Sequence, residues 1–107
     1  VNSALQLRIY SVPKVTSDFE ILSLVTDAAG GSTSSITQGT WKHGKEIVSE
    51  RSSVLEAIVF GNTKELRPKI KELLGRINAR AKVLGEKAIL ASLTPIDAEL
   101  VEMNDGE

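Results

Sequence analysis

The sequence predicts an α+β fold: an antiparallel sheet of four strands with two helices, in the order strand, helix, strand, strand, helix, strand. Three observations carry this. One segment alternates apolar and polar residues with period two; two segments repeat apolar residues at helical spacing; and between them a polar, glycine-bearing turn joins two β-prone runs.

The first strand runs from Ala4 to Val12, where Leu5, Leu7 and Ile9 alternate with Gln6, Arg8 and Tyr10, and Pro13 ends it because proline cannot continue a ladder. Thr16, Ser17 and Asp18 are all N-cap candidates for a first helix reaching Ala29. Its apolar face is read as Phe19, Leu22, Val25, Thr26 and Ala29, widened by Ile21, Leu24 and Ala28. Gly30 and Gly31 stop it, and Gly31 to Ser34 form a flexible joint. The second strand is Ser35 to Trp41, the turn is Lys42-His43-Gly44-Lys45, and the third strand is the long run from Glu46 to Phe60. That run is polar from Glu46 to Ser53 and apolar on both faces from Val54 to Phe60. A hairpin rooted in the core, with its tip in water or on a neighbouring subunit, produces such a split.

Asn62 and Glu65 form a capping-box pattern, and Leu66, Ile70, Leu73, Leu74, Ile77, Ala81 and Leu84 repeat at helical spacing, giving a second helix from about Lys64 to Gly85. Pro68 is expected in or near its first turn, since deeper inside it forfeits a hydrogen bond. Ala88 to Leu93 reads as a short strand broken by Pro95, Ile96 to Met103 as an edge strand or last helical turn, and residues 104–107 as a frayed tail on a single domain of residues 1–103. With right-handed crossovers this order is the ferredoxin-like βαββαβ arrangement, here with a long hairpin between strands two and three.

Composition narrows the chemistry. The chain has 107 residues, no cysteine and one histidine, His43, which excludes disulfides, thiolate zinc sites and any multi-histidine site within one chain. A net charge of -1 gives no electrostatic reason to expect nucleic acid. The cations from Lys64 to Lys82 are interrupted by Glu65 and Glu72 and lack aromatic stacking platforms, so they read as a solvated helix face. Nothing resembles a membrane span or a signal segment, and the expectation is a cytoplasmic protein.

Thr40-Trp41-Lys42-His43-Gly44-Lys45-Glu46-Ile47-Val48-Ser49-Glu50, followed by Leu55-Glu56-Ala57-Ile58-Val59 and, after a helix, by Glu86-Lys87-Ala88-Ile89-Leu90, resembles the second half of CutA-type and PII-like proteins. These are trimers of ferredoxin-like protomers with a long ribbon. The likeness, over about residues 35–93, is one of layout. It implies a homo-oligomer, most simply a trimer, with ligand clefts between subunits. Where CutA proteins carry a cysteine and a His-Pro-Tyr stretch, this chain has Ala28-Ala29-Gly30 and Ala79-Arg80-Ala81, so the family's copper link does not transfer. No Walker-type phosphate loop accompanies Lys42, Lys45 and Arg51. The resemblance names no cofactor.

The densest functional candidate is the run from Trp41 to Arg51. Trp41 offers a stacking surface, His43 a group titrating near neutrality, and Lys42, Lys45 and Arg51 donors suited to a small anionic metabolite. The same residues also fit an ordinary solvated turn. Glu46, Glu50 and Glu56 share one strand face, so Glu50 or Glu56 could act as a base in a small lyase or isomerase with an inter-subunit site. Residues four apart on a strand are about 13 Å from one another, too far to share a proton, and a structural ion pair with Arg8 or Arg51 is the competing role. Three functions therefore stay open: a small-molecule-binding or regulatory protein, an enzyme on the same scaffold, and a non-enzymatic interaction module.

Overall fold

The computed structural model describes residues 2–101. The elements are β1 (Asn2–Ser11), α1 (Pro13–Thr16), α2 (Phe19–Ala29), β2 (Thr33–His43), β3 (Glu46–Phe60), α3 (Thr63–Val83) and β4 (Leu90–Ala98). The strands form one sheet in the order β2-β3-β1-β4, every neighbouring pair antiparallel. This is the expected ferredoxin-like topology, with β2 and β3 as the long hairpin.

The period-two pattern of β1 decides which sheet face is covered. Leu5, Leu7 and Ile9 stand opposite Val59, Ala57 and Leu55 of β3. All six are buried in one core with Ile21 and Val25 of α2 and Ile70, Leu73, Ile77 and Ala81 of α3. Residues of the other parity, among them Arg8, Tyr10, Glu56 and Ile58, line a face that no helix covers.

Several boundaries differ from those expected. Pro13, read only as a strand terminator, also occupies the first turn of the short α1, where its missing N–H costs nothing. Thr16 is consequently not a cap: it is buried and donates to Ser53 Oγ at 2.7 Å, pinning α1 to β3. Asp18 is the cap of α2, its carboxylate accepting from the Ile21 backbone N–H at 3.2 Å. Phe19, expected on the buried face of α2, is 83% exposed. The buried stripe centres on Ile21 and Val25, and at 3.6 residues per turn Phe19 lies roughly 160° round the helix from Ile21. The joint after α2 is shorter than expected, since Thr33 already pairs with Glu56.

α3 begins on Asn62, whose Oδ1 accepts from the backbone N–H of Lys64 at 2.9 Å and of Glu65 at 3.4 Å. Pro68 stands inside it, in the second turn and not the first; Lys64, whose carbonyl it leaves unbonded within the helix, is exposed to water. Pro95 does not break the last strand. It sits within β4 opposite Leu5, and β4 is an edge strand, where half of the backbone N–H groups have no partner to lose. Ile96 to Ala98 continue that edge strand, which ends there, Glu99 to Val101 being neither strand nor helix, and the expected end at Met103 and the tail from Asn104 lie outside the described residues. Among the described residues no helix is long and apolar enough to cross a membrane.

The β2-β3 hairpin turns at Gly44 and Lys45, with Gly44 at φ 63° and no positive φ at Lys45, the pattern of a type II′ turn. Its outer half, from Thr37 to Ser52, reaches past the ends of β1 and β4 and, among the described residues, pairs only with itself. The protein is accordingly elongated, 56 × 33 × 25 Å.

Candidate functional site

Register brings the site together at the root of the arm. Trp41 stands opposite Val48, and Gly39 stands opposite Glu50. Trp41 and Glu50 are thus diagonal neighbours on the sheet's uncovered face, within reach of one another's side chains. Gly39 is what lets the indole lie back along the strand. A Cβ there would collide with Ser52 Oγ and stand 3.1 Å from Trp41 Nε1. Ser52 is buried beneath this position, and its hydroxyl has no hydrogen-bond partner among the described residues.

The opposite wall comes from two other parts of the chain. Tyr10, near the end of β1, faces the same side by strand alternation and pairs with Val54 on one flank and Leu90 on the other. The approach to β4 is set by the end of α3. Gly85 takes φ 98° and donates to the Lys82 carbonyl at 3.0 Å, while Glu86 donates to the Ala81 carbonyl at 3.0 Å, the two bonds of a Schellman motif. That motif directs Glu86 to Leu90 along the cleft, and an ion pair of 3.2 Å between Glu86 and Lys14 of α1 ties the segment down. The resulting cleft, about 310 Å³, is lined by Tyr10, Trp41, Glu50, Glu86 and the apolar side chains of Val12, Ile89 and Leu90.

The sequence-nominated residues divide around this cleft. Trp41 and Glu50 line it. His43 shares their strand face but pairs with Glu46 at the tip of the arm, beside Lys45 in the turn. Lys42 and Arg51 have the opposite parity and stand on the reverse face, where Arg51 is opposite Gln38, and Gln38 donates to Ser49. The expected cluster of Trp41, His43, Glu50 and three cations is therefore not one constellation within a single chain. Glu56 keeps the face of Glu50 but lies about 20 Å further along the strand. It holds the structural partnership weighed for it, with Arg8 Nε 3.0 Å from its Oε1. The Arg8 Nε–H is not aligned as a hydrogen bond, so the contact is ionic.

Tyr10, Gly39, Ser52 and Glu86 were not legible as site residues. Each is ordinary in its local sequence, and only the strand pairing and the turn at Gly85 bring them to the cleft. Among the described residues no three His, Asp or Glu side chains converge as a metal site would need.

No family model matches the sequence, and no curated protein does. Solved structures do. GlnK of B. subtilis, in its ATP complex, matches with a TM-score of 0.64 and 14% identity over 89% of this chain and 84% of that one. A phage SAM lyase in complex with S-methyl-5′-thioadenosine matches at 0.57 and 13% identity, over 92% and 93% of the two chains. CutA from Synechococcus elongatus matches at 0.55 and 11% identity, over 92% and 79%. A Bacillus cereus protein related to NIF3 matches at 0.64 with 15% identity, but this chain spans only 26% of its length. The chain has the PII-like, CutA-like form of the ferredoxin-like fold.

Proposed function

We propose that this chain is a small-molecule-binding protein of the PII-like and CutA-like kind, working as a homo-oligomer whose copies close the arm-root cleft. The observation that carries this reading is the cleft itself. It sets two aromatic rings and two carboxylates, Glu50 and Glu86, round a space of about 310 Å³, on a face that no helix among the described residues covers, beside an arm that its own protomer leaves unsupported. Ligand sites are mostly apolar, concave and furnished with a few convergent polar groups, and this one meets that description. A trimer is the assembly that the fold resemblance implies.

Two of the structural relatives are described with adenosine compounds, ATP in one and S-methyl-5′-thioadenosine in the other. Both are therefore rational first probes. Trp41 is the only tryptophan, so its fluorescence reports on the cleft without labelling. Titration with either compound is expected to give a saturable change, with a higher unfolding temperature by mass action. A flat response to both at millimolar concentration, with nothing retained on the protein in native mass spectra, would count against a small-molecule site here.

A lyase using Glu50 as general base is a second reading. It is favoured by the position of Glu50 in the cleft, with no cation within ion-pair distance among the described residues, whereas Glu56 is occupied by Arg8. Turnover abolished by Glu50→Gln with ligand binding retained would establish it; binding without turnover would leave the protein a binder.

A further inference from the structure

We infer that the ligand of the arm-root cleft carries a positive charge: a sulfonium-type organic cation, held by the Glu50 carboxylate and the rings of Trp41 and Tyr10. This rests on the proposed ligand site and adds the charge of what enters it.

The argument is a charge inventory of the cleft wall. Among the described residues its only ionisable side chains apart from the Tyr10 phenol are Glu50 and Glu86, and no lysine, arginine or histidine among them lines it. Glu86 is compensated by Lys14 at 3.2 Å. Glu50 has no such partner among the described residues. Of the cations flanking Trp41 and Glu50 in sequence, Lys42 and Arg51 stand on the reverse face of the arm and His43 and Lys45 are displaced to its tip; Lys87, between Glu86 and Ala88, does not line the cleft. A phosphate brought into this cleft would face an uncompensated like charge, whereas a cation would meet an opposite one.

The aromatic groups point the same way. The face of an indole or phenol ring attracts a cation through its quadrupole, and the apolar side chains of Val12, Ile89 and Leu90 line the wall beside these rings. A carboxylate that shares its cleft with two rings favours a diffuse, weakly hydrated organic cation over a compact metal ion, which requires several oxygen ligands. The anionic ligand expected from Lys42, Lys45 and Arg51 drew on residues that this cleft does not contain.

S-adenosylmethionine and S-adenosylhomocysteine differ by one methyl group and one positive charge, so calorimetric titration of both, with ATP as the anionic control, isolates the charge. The sulfonium compound is expected to bind at least tenfold more tightly than the thioether, and ATP more weakly than either. Glu50→Gln, a change at an exposed position, should bring the first two within about twofold of one another. If the thioether or ATP binds as tightly as the sulfonium compound and perturbs Trp41, or if Glu50→Gln leaves the preference intact, the ligand site stands and the charge inference is overturned. If none of the three binds or alters Trp41 fluorescence, both fall.

Discussion

Asp18 has two roles at the start of α2, and each is separable by substitution. Its carboxylate caps the helix through the Ile21 N–H and also accepts from Arg80 of α3, at 3.0 Å from Nη2 and 3.1 Å from Nε. Glu20 adds a second carboxylate 2.9 Å from the same Nε, so one guanidinium ties α3 to the first turn of α2. The hydrogen bonds from Arg80 hold the Asp18 pKa below the usual carboxylate value, against the opposing effect of burial. A depressed pKa means that the folded state binds the proton less readily than the unfolded chain. The stabilisation is therefore complete above the ordinary aspartate value of about 4 and is lost as the pH falls through the lowered folded value. Asp18→Asn keeps a competent cap and removes the charge; Asp18→Ala removes both and should cost a further ~1 kcal/mol. Thermal unfolding followed from pH 6 to pH 2.5 should show the wild type losing stability more steeply than Asp18→Asn in the acid limb, with parallel limbs counting against the ion pair. Of this arrangement only the capping role was legible, because Arg80 lies far away in sequence and reaches Asp18 through the packing of two helices.

At the scale of elements, what the sequence disclosed was whatever local chemistry alone determines. The Glu46–Phe60 strand and the face of α3 were read correctly, because a β-prone run and a sustained helical repeat need no knowledge of their neighbours. The errors fell where tertiary position overrides a local rule. Pro95 looked like a terminator until β4 proved to be an edge strand, and Pro68, expected in or near the first turn, falls in the second, where its orphaned carbonyl partner faces water. Gly75 is a third departure from local propensity, and it has a measurable consequence. It sits exposed in the middle of α3 without a positive φ, and a Cβ built there meets nothing within 4 Å. Neither close packing nor backbone conformation demands glycine at this position. Gly75→Ala should stabilise the protein by roughly 0.5–1 kcal/mol, by removing glycine's excess freedom in the unfolded chain, and raise the melting temperature by several degrees. Differential scanning calorimetry decides it; an unchanged or lowered midpoint would mean that α3 uses the flexibility of Gly75.

The whole molecule is larger in outline than its chain length warrants. Its radius of gyration is 15.7 Å, against about 13 Å for a compact chain of this length. Its accessible surface is 7452 Å², against roughly 5,800 Å² expected of a compact monomer of 11.5 kDa. The excess is on the order of the area a standard protein–protein interface buries. It is carried by the arm and by the sheet face that the helices leave bare. On that face Ile58 is 39% and Phe60 46% exposed, while Ile47 and Val48 on the arm are 74% and 42% exposed. A period-two strand places one parity in the helix-covered core, so the apolar residues of the other parity lie outside it, where a second copy would bury them. Light scattering during gel filtration at tens of micromolar should therefore give a multiple of the 11.5 kDa chain, three copies on the assembly proposed above. Ile58→Arg tests the face directly. It lies opposite Gln6 and outside the buried core, so the protomer should keep its far-ultraviolet circular dichroism while the measured mass falls to that of one chain. A wild-type monomer at that concentration would refute the assembly, and an Ile58→Arg oligomer of unchanged mass would move the interface from the open face to the arm.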